Sequence, residues 1–135
     1  MKLNFLSQKY KNIIISALGA FFCMFLIAYF NSIDSTNVWL IPPFGASLVL
    51  VMAVQDSPLA APRNVFFGHV LSASSGVLMF YYLGDSPISI ALALSLAIAL
   101  MMLTKTIHPP AGANPIIAIV GAKGFEFVIM PVAIG

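Results

Sequence analysis

Two short stretches of a strongly apolar chain combine prolines with side chains that can hold a charge or a proton. The stretch TKTIHPPAGANPIIAI contains Lys105, His108 and Asn114. The stretch IPPFGASLVLVMAV repeats the order of Pro-Pro, one residue, Gly-Ala and a polar residue, which here is Ser47. Ionisable side chains at membrane depth are costly and commonly mark ion or proton pathways. Both stretches are therefore candidates for one functional site.

Each proline pair predicts a break in the chain followed by the start of a short helix. Proline has no N–H and suits the first turn of a helix. First-turn amides lack partners within the helix, and the helix dipole adds partial positive charge at the same end. We therefore expect two facing helix starts to bind a small anion. The predicted site comprises Gly45, Ala46 and Ser47 after Pro42-Pro43, and Gly112, Ala113 and Asn114 after Pro109-Pro110.

Basic and histidine side chains beside the breaks extend this prediction. Lys105 either attracts the anion or extends to the membrane interface, as lysines at helix ends often do. His108 is expected to donate to the anion or to titrate as a gate, and the alternative is a hydrogen bond to a freed carbonyl. Arg63, Asn64 and His69 are expected along the access path, with an inner-surface anchor as the competing role for Arg63.

Composition assigns the chain to the membrane and excludes several function classes. It has 135 residues, of which 61% are hydrophobic and 7% charged, whereas soluble domains carry about 25% charged residues. The net charge of +2 is small and scattered, so no nucleic-acid partner is expected. The two histidines and single cysteine form no metal-ligand pattern. No nucleophile–base set or phosphate loop is present in the sequence, so we expect neither an enzyme nor a cofactor.

The apolar segments predict an all-α membrane fold. At 1.5 Å per residue, a segment of about 20 residues spans the bilayer, and two shorter pieces reach about half its thickness. A last helix is expected to begin near Phe125. The predicted spanning segments are Ile13–Phe30, Val65–Leu83 and Ile88–Thr104, and the short ones are Phe44–Val54 and Gly112–Gly121.

A shift of 67 residues places Pro42 on Pro109 and Ser47 on Asn114. We therefore predict one membrane domain, residues 1–135, built from two three-segment repeats at about 12–84 and 86–135. The second repeat is short at its C-terminus, either because the protein ends early or because the sequence is truncated. Paired, proline-interrupted short segments point to a transporter's central site. The lysines at 2, 9 and 11 place the N-terminus in the cytoplasm. The repeats are inverted if the short segments cross the membrane, and parallel if they are re-entrant. We favour inverted repeats, because the re-entrant arrangement places Arg63 on the wrong side of the membrane.

The sequence resembles the HPP family of integral membrane proteins, which is named for a His-Pro-Pro motif. The resemblance lies in PFGASLVLVMAVQDSPLAAPRNVFFGH, residues 43–69, and in TKTIHPPAGANPIIAI, where His108 begins the triplet. It implies a protein usually described with four membrane helices, and a link to nitrite transport in plant and cyanobacterial members. Asn114-Pro115 departs from the small residue more often found there.

The combined prediction is a multi-pass transporter or channel for a small monovalent anion, with nitrite as the leading candidate. Six short segments make a thin bundle, so a homo-oligomer is expected, in a bacterial or cyanobacterial inner membrane. The rival hypothesis is a non-transporting membrane subunit or sensor that docks a partner protein. That rival predicts no flux through purified protein and tolerance of substitutions at Ser47 and Asn114.

Overall fold

The computed structural model describes residues 2–34 and 38–135, without the side chains of residues 2–7. The described chain is helical. Predicted features that involve the side chain of Lys2 or the loop at 35–37 lie outside the described residues. The described chain has five α-helices, which are α1 (Lys2–Ile33), α2 (Pro42–Ala53), α3 (Pro62–Leu83), α4 (Pro87–Leu103) and α5 (Asn114–Val120). Short 3-10 turns cover Pro58–Ala60 and Pro109–Ala113, and a π-helical segment covers Val128–Ala133.

Two helices have the length and composition of membrane spans, namely Gln8–Ile33 within α1 and Pro62–Leu83. The third predicted span, α4, has 17 residues, which is about 26 Å of helix. The long apolar side chains of α1 are exposed, Phe21 and Phe25 among them. In a bilayer such side chains face lipid, because an exposed apolar face is stable there.

The two short apolar helices start at their proline pairs. They run from Pro42 to Ala53 and from Pro109 to Val120, the second beginning as a 3-10 turn. The predicted starts at Phe44 and Gly112 were therefore wrong by two or three residues, because proline fits the first helical position itself. The two helices have equal length and are related by the 67-residue shift of the predicted repeat.

Helix α3 is the centre of the packing and contacts α4, α5 and the C-terminal segment. Its Gly76 allows α5 to approach closely, since an added Cβ would lie 2.6 Å from the Cα of Pro115 and 2.8 Å from the Cβ of Ala118. Ala73 and Val77 of the same helix belong to the buried apolar core. The face of α3 that carries His69 is therefore held in place on several sides.

The chain becomes helical again shortly after Phe125, as predicted, but irregularly. Pro131 lies inside Val128–Ala133, and Met130 departs from helical geometry with φ −131° and ψ 119°. A residue before proline is forced toward extended backbone, which explains the kink. The predicted last helix is therefore present as a kinked segment.

Candidate functional site

The two proline-initiated helix starts contact each other, as the sequence predicted. Ile41 and His108 immediately precede the prolines, and both have extended backbones. Both are buried. Their junction is therefore an interior position, shielded from the surrounding medium.

The predicted unpaired amides are not present among the described residues of these helix starts. Two of the first-turn positions are prolines and have no N–H. The next amide is paired in each case: Phe44 N–H donates to the carbonyl of Ile41 at 3.1 Å, and Ala111 N–H donates to that of His108 at 3.0 Å. The amides of Gly45 to Ser47 follow directly, from the fourth residue of the helix onward, where α-helical bonding satisfies them. That part of the anion-site prediction was wrong.

The two glycines of the repeated motif face away from the junction. A Cβ on Gly45 would meet Met24 of α1 at 3.9 Å, and one on Gly112 would meet Leu94 of α4 at 3.7 Å. Ala46 is exposed and Ala113 half-buried. Residues two apart on a helix point about 200° apart, so Gly45 cannot share a face with Ser47, nor Gly112 with Asn114.

The predicted polar side chains instead form a buried cluster of their own. The hydroxyl oxygen of Ser47 lies 2.8 Å from Nε2 of His69 and 2.8 Å from Nε2 of His108. The two rings are 5.0 Å apart at their centroids and make an edge contact. Ser47 therefore joins two histidines that are 39 positions apart in the sequence.

Asn114 binds the other side of the His69 ring. Its Nδ2 lies 2.9 Å from Nδ1 of His69, 3.2 Å from the carbonyl oxygen of His69 and 3.1 Å from Oγ of Ser72. Within the described part of the chain, the Oδ1 atom of Asn114 is buried without a hydrogen-bond partner. Asn114 is thus fixed by its amide nitrogen alone.

His108 is held from the opposite side by the turn before α3. Its Nδ1 lies 2.9 Å from the carbonyl oxygen of Leu59. Gly68 of α3 makes room for it, because a Cβ there would lie 2.8 Å from the Cβ of His108 and 3.1 Å from the carbonyl oxygen of Thr106. The alternative predicted for His108 was a hydrogen bond to a carbonyl freed at its own break; the ring instead bonds a carbonyl of the turn Pro58–Ala60.

Comparison with known proteins assigns this chain to a family. The family model "HPP, transmembrane region" matches residues 6–135. The chain belongs to the HPP family. It is therefore an integral membrane protein, and its His108-Pro109-Pro110 triplet stands at the second break.

Two transmembrane proteins of Dictyostelium discoideum are similar to this HPP chain. One is 39% identical over 118 residues, covering 82% of this chain and 38% of its own length. The other is 40% identical over 118 residues, covering 82% of this chain and 41% of its own length. The chain thus spans about two fifths of the length of these relatives. No solved structure matches it.

The basic residues predicted beside the breaks, Arg63 and Lys105, lie outside the buried cluster. Arg63 donates from a guanidinium nitrogen to the carbonyl oxygen of Thr104 at 3.0 Å, and Asn64 donates to that of Ile107 at 3.0 Å. Arg63 is exposed and Asn64 is half-buried, and their two bonds tie the start of α3 to the second break. Lys105 is also exposed, with a left-handed backbone of φ 56°. Their predicted roles in anion attraction and access stay predictions.

A cavity of about 390 Å³ lies beside the cluster, between α2, the first two turns of α3 and the C-terminal segment. Ser47 and His69 supply its polar side chains, and Phe44, Leu48, Val65 and Phe66 are among its apolar ones. No acidic residue lines it within the described chain. His69, predicted on the access path, therefore lies in the cavity wall and in the cluster at once.

Sequence analysis missed two partners of the cluster. Ser72 lies one turn after His69 on α3, so helical spacing would have placed it on the same face. The carbonyl of Leu59 belongs to a turn 49 positions before His108, and no local pattern indicates that contact.

Proposed function

We propose that this HPP protein is a membrane transporter or channel for a small monovalent anion, with nitrite as its leading substrate. The observation that carries the proposal is the cavity whose polar wall consists of Ser47 and His69. Hydroxyl and imidazole groups can donate hydrogen bonds to an anion. The Ser47 hydroxyl, rather than the helix-start amides, is the proposed ligand, and the His69 ring holds it in the cavity wall.

The size and charge of the cavity support this substrate class. A water molecule takes about 30 Å³ in the liquid, so about 390 Å³ accommodates a small anion with several waters. Cation pathways commonly present rings of acidic side chains, whereas the described lining has none. Nitrite is selected among small anions by the resemblance to family members that are linked to nitrite transport.

Uptake into proteoliposomes tests the proposal. Purified protein should accelerate entry of nitrite over protein-free liposomes, and nitrate, formate and chloride entry should be compared in the same vesicles. Ser47→Ala should lower nitrite uptake by roughly tenfold, because a hydrogen bond to a charged group contributes about 1.5–3 kcal/mol. Ser74→Ala is the matched control, since the Ser74 hydroxyl donates to the carbonyl of Val70 on its own helix.

Equal uptake in Ser47→Ala and wild type would remove Ser47 from the pathway. If none of the tested anions enters, the result would instead favour the rival function, a non-transporting membrane subunit or sensor. The rival is relevant because the two relatives are much longer than this chain. In that case Ser47 and Asn114 would serve only to join the helices.

A further inference from the structure

The outer ends of the buried cluster fix the direction of its hydrogen bonds. The carbonyl oxygen of Leu59 can only accept, so Nδ1 of His108 donates to it at 2.9 Å. The Nδ2 of Asn114 can only donate, so Nδ1 of His69 accepts from it at 2.9 Å. The orientation of the Asn114 amide is supported independently, because the same nitrogen lies 3.2 Å from the carbonyl of His69.

Those two ends determine the bonds in the middle when both rings are neutral. A neutral imidazole has one donor nitrogen and one acceptor nitrogen. His69 then donates from Nε2 to the Ser47 hydroxyl, and Ser47 donates its own hydrogen to Nε2 of His108, each across 2.8 Å. The two histidines therefore hold opposite tautomers. The result is a directed path from Asn114 through His69, Ser47 and His108 to Leu59.

Only some members of this hydrogen-bonded path face the cavity. Ser47 and His69 line the cavity, whereas His108 is fully buried. A proton donor in the cavity reaches His108 through the Ser47 hydroxyl. Ser47 is thus the junction between a guest in the cavity and the buried ring.

We propose that this junction couples anion transport to protons, so that one proton enters with each monovalent anion. The inference rests on the proposed anion transport. Hydronium, or the conjugate acid of the anion, gives a proton to Oγ of Ser47 while Ser47 passes its original proton to Nε2 of His108. One O–H bond of the acid breaks and one N–H bond forms, and Ser47 ends as a hydroxyl again.

The product state uses every hydrogen-bonding position at Ser47. His108, now an imidazolium, donates to Leu59 and to Ser47, and His69 continues to donate to Ser47. The two lone pairs of the Ser47 oxygen are then occupied, and its O–H is free to turn toward the cavity. Proton uptake therefore converts Ser47 from an internal donor into a donor for the anion.

The surrounding charges explain why the anion must accompany the proton. A buried charge is costly unless it is paired. Among the described residues packed around His108, the titratable group that faces it is His69. Arg63 and Lys105, on neighbouring segments, are exposed, as are Asp56 and Glu126. No described carboxylate bonds either histidine, so the anion in the cavity supplies the balancing charge.

The first test measures stoichiometry in proteoliposomes that enclose a pH-sensitive dye, with the membrane potential clamped by potassium and valinomycin. Sodium nitrite added outside near neutral pH should acidify the lumen by one proton per nitrite, after subtraction of protein-free vesicles. The uptake rate should be unchanged when the clamped potential is varied. Nitrite entry that carries current or leaves the lumen pH unchanged would overturn the coupling and leave the proposed anion transport intact.

The second test reads the tautomers directly and does not depend on activity. The chain has two histidines, so ¹⁵N-histidine NMR of protein in bicelles gives two resolvable rings. Without nitrite, one ring should show the Nδ1–H tautomer and the other the Nε2–H tautomer. His108→Gln assigns the signals and should leave the Nε2–H ring. Two identical tautomers in wild type would contradict the directed path. An absence of any flux would remove the transport proposal, and the coupling with it.

Discussion

The two proline-pair breaks have similar backbone conformations but differ in the residue that precedes the prolines. Ile41 has φ −126° and ψ 144°, and His108 has φ −138° and ψ 100°. Ile41 belongs to the buried apolar core, whereas His108 joins the hydrogen-bonded cluster. The same structural device therefore serves packing in the first half and polar chemistry in the second.

The polar residues one turn later differ in a related way. Ser47 and Asn114 occupy equivalent positions and bind opposite nitrogens of the same ring, that of His69. A hydroxyl both donates and accepts, whereas the amide nitrogen of asparagine only donates. Ser47 is thus suited to pass a proton on, and Asn114 is suited to end the path.

The largest expected effect concerns the space around the two breaks. Gly68→Ala should lower the free energy of unfolding by about 3 kcal/mol, because the new methyl group overlaps His108 and a backbone carbonyl, and overpacked cores lose about 1–3 kcal/mol. Gly45→Ala should change it by less than about 1 kcal/mol, since its Cβ meets only the end of Met24 and alanine favours helix. Thermal denaturation in detergent, followed by circular dichroism, compares them. An equal decrease in the free energy of unfolding in both variants would mean that Gly68 and Gly45 are packed equally closely.

A smaller effect is expected when Asn114, after the second break, is replaced by serine, the residue at the equivalent position after the first break. Asn114→Ser shortens the side chain so that Nδ1 of His69 loses its donor, and a buried group left without a partner costs about 1–3 kcal/mol. We expect a loss of about 2 kcal/mol in the same denaturation assay. Asn64→Ser is the control, because the bond of Asn64 to the Ile107 carbonyl is solvent-exposed and can be replaced by water. Wild-type stability in Asn114→Ser would show that the two positions are interchangeable.

The sequence was informative about residue choice and less so about orientation. Local proline chemistry predicted both breaks, and polarity in an apolar chain singled out Ser47, His69, His108 and Asn114. The amide prediction failed because the prolines occupy the first turn instead of preceding it. Helical periodicity would have shown that Gly45 and Ser47 point apart. The contacts of His69 with Asn114 and of His108 with Leu59 join positions 45 and 49 residues apart, and such distant pairings depend on the packing of the whole chain.

The smallest expected effect is at the end of α4, just before the second break. Lys105 has φ 56°, and Thr106 N–H bonds the carbonyl of Met101 while Lys105 N–H bonds that of Met102, which is the Schellman arrangement. Glycine is normally favoured in this left-handed position, where other residues lose roughly 1–2 kcal/mol. Lys105→Gly should therefore raise the free energy of unfolding by about 1 kcal/mol, whereas Lys105→Ala should not.

The same pair of variants separates the backbone role of Lys105 from its charge. Both remove the ammonium group, but only glycine relieves the left-handed conformation. If Lys105 extends to the interface, nitrite uptake should be the same in both variants and in wild type while stability differs between them. If its charge attracts the anion, both variants should lose uptake equally at low salt, and the loss should shrink at high ionic strength because exposed charges are screened. In that case the Lys105 ammonium group would attract the anion toward the buried cluster without contacting the cluster itself.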